Sequence, residues 1–307
     1  MKIAMSASAL ALALCVSAGA APNLLNAAVL SAAAAKWNQS QKPQRIYGDT
    51  YYVGVAGLSS ILIHGKDGAI LIDGDLPQSA TKIEASIRAL GFDLHDVKVI
   101  LNSHAHMDHA GGIAQLQRDS GATVLASPNS AQAMRAGHVS ADDPQAAFAD
   151  TADFPAVADV REIADGEIVR VGALALTAHF TPGHTPGSTS WTWRECEKDR
   201  CLNIVYADSL SAMAAPGFRF SGDAEHADRS ASFHHSIDLV GALPCDILIT
   251  THPDVADVPQ KLAKLAAGAQ PNPFIDNAAC KALAHDAAAN LDERLAKEHA
   301  AANSATK

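Results

Sequence analysis

The stretch Ser103-His104-Ala105-His106-Met107-Asp108-His109-Ala110-Gly111-Gly112 puts three imidazoles and a carboxylate within six residues. It follows Val97–Leu101, a mostly apolar run that reads as a buried strand. In extended backbone, residues two apart point to the same side, so His104 and His106 can face one metal ion. Asp108 and His109 fall where the chain should turn into a helix, and they can face a second point nearby. Gly111 and Gly112 let the backbone pass close to that site and open the next helix. Imidazole and carboxylate without thiolate suit zinc, although ligand type alone leaves manganese, iron and nickel open. The competing reading is a surface histidine cluster that binds nothing. Four ligating side chains at the mouth of one buried strand argue against it.

Two further histidines stand far downstream. His184 lies in Thr181-Pro182-Gly183-His184-Thr185-Pro186-Gly187-Ser188, where prolines and glycines stiffen a loop around one side chain. His252 lies in Thr250-Thr251-His252-Pro253, at the end of the apolar run Asp246–Thr250. Sites are commonly assembled from loop and strand-end positions of this kind on a rigid scaffold. Either histidine alone reads as an ordinary loop residue. With the first cluster they make six protein ligands, enough for two metal ions with open positions.

Around these motifs the chain alternates strand and helix signals. Thr50–Ala56, Ser60–His64 and Ala69–Asp73 read as strands, separated by Gly57 and the Lys66-Asp67-Gly68 turn. Helical spacing is expected over Pro77–Leu90 and Gly112–Arg118, and a strand over Ala122–Ala126. The second half repeats the theme. Glu167–Val171 and Ala173–Ala178 form a hairpin around Gly172, and Ser188–Trp193, Cys201–Tyr206 and Asp246–Thr250 are further strands. Helices are expected over Ala231–Gly241, Pro259–Ala267 and Asn277–His299. The polar stretch Arg135–Asp150 lacks periodicity and reads as a loop, either mobile beside the site or simply connecting. This order is α/β, with two sheets stacked face to face and covered by helices. No linker demands two independent domains, so residues 21–307 are expected to form one.

The chain opens MKIAMSASALALALCVSAGAAP. Lys2, an apolar run to about Val16 and Ala18-Gly19-Ala20 read as a secretory signal cleaved near residue 20. The run is shorter than the roughly 20 residues a spanning helix needs. Export to the periplasm, with no membrane association afterwards, is the expectation. Net charge is −10 (23 basic against 33 acidic residues), which argues against nucleic acid as a partner. Beyond Cys15 in the leader, four cysteines remain. Cys196 and Cys201 flank a four-residue turn signal and suit a hairpin bridge, which leaves Cys245 with Cys280 in an oxidising compartment.

His104-Ala105-His106-Met107-Asp108-His109 resembles the H-x-H-x-D-H signature of the metallo-β-lactamase superfamily. The segments Phe180–Ser188, Tyr206–Ala212 and Leu243–Pro253 resemble its subclass B3, and the likeness runs from about Tyr47 to the C-terminal helix. The resemblance implies a four-layer αββα sandwich of two mixed sheets and a Cys245–Cys280 disulfide. It implies two zinc ions, one held by His104, His106 and His184 and the other by Asp108, His109 and His252. Ser209 and Ser211, standing where other subclasses place a cysteine ligand, would contact the substrate carboxylate. Asp208 would support the ligands without bridging the metals. Some members carry a tyrosine just beyond this segment; the nearest residue here, Phe218, has no hydroxyl. His179 is expected to order the ligand loop without binding metal. Trp191 and Trp193 are expected to pack, and His138, His226, His234 and His235 to lie in loops or on helix surfaces.

The implied activity is zinc-dependent opening of the β-lactam ring of penicillins, cephalosporins or carbapenems, giving antibiotic resistance. Water activated by the metals would be the nucleophile, with Asp108 orienting it. No G-x-S-x-G or S-x-x-K motif suggests a covalent alternative. The expected partner is thus a small-molecule substrate, and a monomer is expected. A lactonase for acyl-homoserine lactones or another ester or thioester hydrolase could use the same metals. A glyoxalase II-type thioesterase should carry a larger C-terminal domain than the 55 residues after His252 (307 − 252). A nuclease of the superfamily should be more basic. Its di-iron electron-transfer proteins use glutamate where His106 stands. A non-catalytic periplasmic zinc-binding protein is the plainest alternative, and the full ligand set argues against it.

Overall fold

Strand side chains divide, with period two, between two apolar cores. In β3 (Ile61–Gly65) and β4 (Gly68–Ile72), Ile61, Ile63, Ile70 and Ile72 enter one core, while Leu62, Ala69 and Leu71 enter the other. A sheet apolar on both faces has to be covered on both, and the computed structural model supplies both covers. It describes residues 32–148, 153–224 and 226–305. The expected leader, residues 1–20 with Cys15, lies outside the described residues.

The first sheet has seven strands in sequential order: β1 (Gln44–Tyr47), β2 (Thr50–Tyr52), β3, β4, β5 (Val97–Leu101), β6 (Thr123–Ala126) and β7 (Val160–Glu162). Pairing is antiparallel from β1 to β4 and parallel from β4 to β7. The second sheet has five, in the order β12 (Ile247–Thr250), β11 (Arg200–Ala207), β10 (Thr189–Glu197), β9 (Leu174–Phe180) and β8 (Ile168–Val171). It is antiparallel except where β12 lies parallel to β11. Between the sheets, Ile63, Ile70 and Leu101 share a core with Leu176, Trp191 and Ile204. On the far face of the first sheet lie α2 (Ala80–Ala89), α4 (Ile113–Ser120) and α5 (Pro128–Ala136), through Ile83, Ile87, Leu116 and Met134. Phe233 and Ile237 of α6 (Ser230–Ala242) and Leu291 of α8 (Ala279–Ala305) close the second sheet. This is the expected αββα sandwich.

Three elements escaped the sequence reading. β1 offers only Ile46 and Tyr47 as buried side chains, and β7 only Val160. α5, PNSAQAMRA, hides its inward face among small residues. Conversely, the strand expected over Thr50–Ala56 stops at Tyr52, because Val55 turns back to bridge Leu58 and gives its N–H to Asp75 Oδ2 at 3.1 Å. The β10–β11 hairpin runs past Trp193 to the pair Cys196↔Cys201, bridged as expected at a Cα separation of 4.0 Å. Cys245 bridges Cys280 and ties the approach to β12 to the first turn of α8. Trp191 and Trp193 pack in the core as expected, each indole N–H satisfied, on Asn102 O and Thr50 Oγ1 respectively.

Candidate metal centre

Strands β4, β5 and β6 run one way in the first sheet. Strands β9, β11 and β12 share one direction in the second. The loops leaving their C-terminal ends meet, the usual place for a site in such sheets. The β5 loop brings His104, His106, Asp108 and His109, the last two on the single helical turn α3 (Met107–Ala110). The β9–β10 loop brings His184, the segment after β11 brings Asp208, and His252 follows β12 directly.

The β5 loop is braced from below. Asp73, at the end of β4, is buried in the left-handed conformation (φ 61°). Its carboxylate accepts the Ser103 N–H at 2.7 Å, the Ser103 hydroxyl at 2.6 Å and the Tyr206 hydroxyl at 2.8 Å. Burial, partly offset by His109 and these hydrogen bonds, raises its pKa to about 6. Asn102 Nδ2 donates to the His104 carbonyl at 2.8 Å, and Trp191 Nε1 fixes the Asn102 carbonyl. Gly112 is required for close approach and not for its dihedrals: a Cβ there would stand 2.2 Å from the Gly74 carbonyl oxygen.

The rings of His104, His106 and His184 lie edge to face, with centroids 4.7 to 5.1 Å apart. One ligand atom of each lies within 4.8 Å of the others, and all three are buried. Each ring has one nitrogen engaged by a protein acceptor: His104 Nδ1 on Asp208 Oδ1 (2.6 Å), His106 Nε2 on Asp143 Oδ1 (3.0 Å) and His184 Nδ1 on the Ser211 carbonyl (3.0 Å). Carboxylates and carbonyls accept, so those nitrogens carry the protons. The lone pairs left over sit on His104 Nε2, His106 Nδ1 and His184 Nε2. Burial, reinforced by the neighbouring imidazoles, holds His104 well below the usual histidine range and His184 at about 3. Neutral imidazoles are what a metal ion requires.

A second group adjoins the first. His104, Asp108 and His109 also bring ligand atoms within 4.8 Å of one another. Asp108 Oδ2 lies 3.3 Å from His109 Nε2 and 3.4 Å from His252 Nε2. Although burial opposes it, the Asp108 carboxylate pulls His109 up to about 9; against the same burial, His109 and His252 push Asp108 well below the ordinary range. Among the described residues, His104 Nε2 and both ring nitrogens of His109 are buried without a hydrogen-bond partner. Leaving such a group unsatisfied costs about 1–3 kcal/mol. The orphaned His104 Nε2, together with one ligand atom each of His109 and Asp108 within 4.8 Å of one another, fits a bound divalent cation.

The other expected residues fall into place around this centre. Ser209, half-buried, shares a hydrogen bond with Thr251 Oγ1 at 2.9 Å, and Ser211 is exposed. Asp208 sits behind His104 and belongs to neither ligand group. Phe218 is buried against Phe220 and His226. His179 binds Thr192 Oγ1 at 2.8 Å, so it ties β9 to β10 and does not order the ligand loop as expected. His138 and His234 pair with Asp153 and Asp292 near the surface, and His226 with Asp223.

Asp143 and Gln145, in the loop after α5, were not anticipated. Both are buried, and Gln145 Nε2 lies 3.3 Å from His184 Nε2. The only sequence signal was a carboxylate pair, Asp142-Asp143, in a polar run without periodicity. The stretch Arg135–Asp150 is therefore more than a connection: its middle forms one wall of the centre.

Residues 53–195 match the family model of the metallo-beta-lactamase superfamily. MEM-A1, a subclass B3 metallo-beta-lactamase isolated from a soil metagenome library, is 50% identical, with 86% of this chain and 99% of that one covered and a TM-score of 0.82. The Rm3 metallo-beta-lactamase is 49% identical, covering 88% and 99%, with a TM-score of 0.84. The chain belongs to the metallo-β-lactamase superfamily, within subclass B3. A hydroxyacylglutathione hydrolase of Anaeromyxobacter dehalogenans (strain 2CP-C) is 30% identical over 182 residues, 59% of this chain and 54% of that protein. The chain spans about half the length of the curated relatives it matches. The B3 structures, matched almost end to end, share the whole sandwich. Membership fits the histidine array and the serines that follow β11.

Proposed function

We propose that the protein hydrolyses the amide bond of β-lactam antibiotics with two zinc ions, and so confers resistance to them. The observation that carries this reading is the array of three histidines whose outer nitrogens are all engaged by protein acceptors and whose inner nitrogens converge. His104, His106 and His184 would hold the first zinc, and Asp108, His109 and His252 the second. When bound, the pair supplies Lewis-acid polarisation and, at a pKa of about 7, a water acidic enough to attack at neutral pH.

The chain's own residues supply placement and proton handling. Asp208, Asp143 and the Ser211 carbonyl each engage one nitrogen of a histidine ring, of His104, His106 and His184 respectively. Asp108, ionised beside His109 and His252, would orient the attacking water as well as hold the second metal. The hydroxyls of Ser209 and Ser211, at the rim, would donate to the carboxylate that β-lactams carry next to the ring nitrogen. Two disulfides support an oxidising compartment, the periplasm, as the place of action. Among the described residues no helix is long and apolar enough to cross a membrane. Catalysis by a single domain acting as a monomer is part of the proposal.

The thioesterase reading keeps one observation in its favour, the 30% identity to a hydroxyacylglutathione hydrolase. Against it, Asp208 is engaged through Oδ1 by His104 Nδ1 and belongs to neither ligand group. Zinc-loaded protein should hydrolyse a carbapenem, with loss of activity on EDTA treatment and in His104→Ala. Turnover of a hydroxyacylglutathione thioester with every β-lactam left intact would reverse the assignment.

A further inference from the structure

His106 is oriented opposite to its two neighbours. His104 and His184 give Nδ1 to the protein, whereas His106 gives Nε2. That reversal needs an acceptor on the far side of the ring, which no strand end supplies. It comes from Asp143 in the loop after α5, whose side chain is 4% exposed.

The acceptor is itself locked. Asp143 Oδ1 receives both His106 Nε2–H at 3.0 Å and the Gln145 N–H at 2.8 Å, so one oxygen fixes the ring and the turn beside it. The Asp143 N–H donates to the Ser140 carbonyl, and its own carbonyl accepts from Ala146 N, both at 3.0 Å. The Ala215 N–H donates to the Pro144 carbonyl at 2.8 Å, joining the loop to the segment that carries Ser209 and Ser211. Arg229, at the start of α6, reaches Asp142 Oδ2 at 2.9 Å. The loop that carries the carboxylate is thus tied both to the segment after β11 and to the start of α6.

We propose that Asp143 is a positioning residue: by fixing His106 Nε2 as the protonated nitrogen, it makes Nδ1 the nitrogen that binds the first metal. Turning an imidazole over about its Cβ–Cγ bond moves both ring nitrogens, and only a fixed acceptor chooses between the two poses. Without Asp143 the ring can turn over or change tautomer, and the first site loses one preorganised ligand. Partners that orient a ligating histidine typically account for 10–100-fold in metal affinity. The inference rests on the two-zinc reading above, though not on the identity of the substrate.

The test is carried out on the zinc-loaded full chain with 15N-labelled histidine. Long-range 1H–15N correlations, with His106 assigned by its disappearance in His106→Gln, should give a metal-bound Nδ1 and a protonated Nε2. A metal-bound Nε2 overturns the proposal without any Asp143 variant having to fold. In competition with a chromophoric chelator, Asp143→Ala should bind the zinc of the first site 10–100-fold less tightly than the parent. Asp143→Asn, which keeps an oxygen acceptor, should recover most of that loss. Parent-like affinity in Asp143→Ala would also overturn it. A parent chain that binds no zinc would overturn the two-zinc reading as well. Failure to hydrolyse β-lactams with these results intact would sink only the substrate assignment.

Discussion

His104 Nδ1 lies 2.6 Å from Asp208 Oδ1, and both side chains are fully buried. The contact crosses between the sheets, since His104 follows β5 and Asp208 follows β11. Burial raises the Asp208 pKa, with His184 acting against it. Asp208→Ala should therefore release the His104 ring from behind and lower zinc affinity 10–100-fold, as loss of a histidine-orienting partner does elsewhere. Chelator competition measures this directly. Unchanged affinity would mean that packing alone aims the ring.

Zinc should also stabilise the fold. The centre joins loops from both sheets, and its orphaned nitrogens have no protein partner. A ligand that binds only the native state adds about 2.7 kcal/mol at a hundred times its Kd. Chelation should lower the melting temperature, and added zinc should restore it in proportion to the logarithm of its free concentration. Calorimetry that finds identical melting with and without zinc would contradict two structural metal sites.

The six residues expected as ligands, which the fold brings together, were legible because each sits beside a strong local signal. His104 to His109 follow a buried strand, His184 is fixed by prolines and glycines, and His252 ends β12. Asp208 was legible as a supporting residue only through the family resemblance of its segment. Asp143, Gln145 and Asp73 were not. Asp143 and Gln145 act through a loop with no periodicity, and their role exists only once that loop is folded against His106 and His184. Asp73 ends a strand that was read correctly, yet a carboxylate after a strand gives no hint that it will accept from Ser103 and Tyr206. Fold elements failed for a related reason. β7 buries one side chain out of three, so tertiary pairing with β6 decides it and local pattern does not.

The two disulfides should contribute unequally. Cys245–Cys280 spans 35 residues and Cys196–Cys201 only 5. In the chain-entropy model the longer loop is worth about 4 kcal/mol and the shorter about 2 kcal/mol. Cys245→Ser/Cys280→Ser should lose roughly twice the unfolding free energy of Cys196→Ser/Cys201→Ser in urea titration. The short bridge staples a hairpin already held by seven residue pairs. The long one holds α8 to the second sheet, against which Cys280 is buried. Equal losses would show that native contacts, and not loop closure, govern both.

Glu195 gives a pH dependence independent of the metal centre. It projects from β10 toward Thr50, accepting the Thr50 hydroxyl on Oε2 at 3.1 Å and the Cys196 N–H on Oε1 at 3.0 Å. Burial raises its pKa above the usual 4.5, despite the Cys196 and Thr50 hydrogen bonds that act the other way. A carboxyl whose pKa rises on folding favours the native state fully below its unfolded value, and that advantage is lost as pH climbs through the folded value. Glu195→Gln is nearly isosteric: its carbonyl can still accept from Cys196, and its amide can donate to the Thr50 oxygen. The variant should match the parent in stability near pH 4 and exceed it progressively above that, up to neutrality. Melting curves of both zinc-loaded proteins from pH 4 to 8 decide the matter. A variant that falls further below the parent as pH rises would mean that the ionised carboxylate, and not the neutral acid, is what the folded protein prefers at this position.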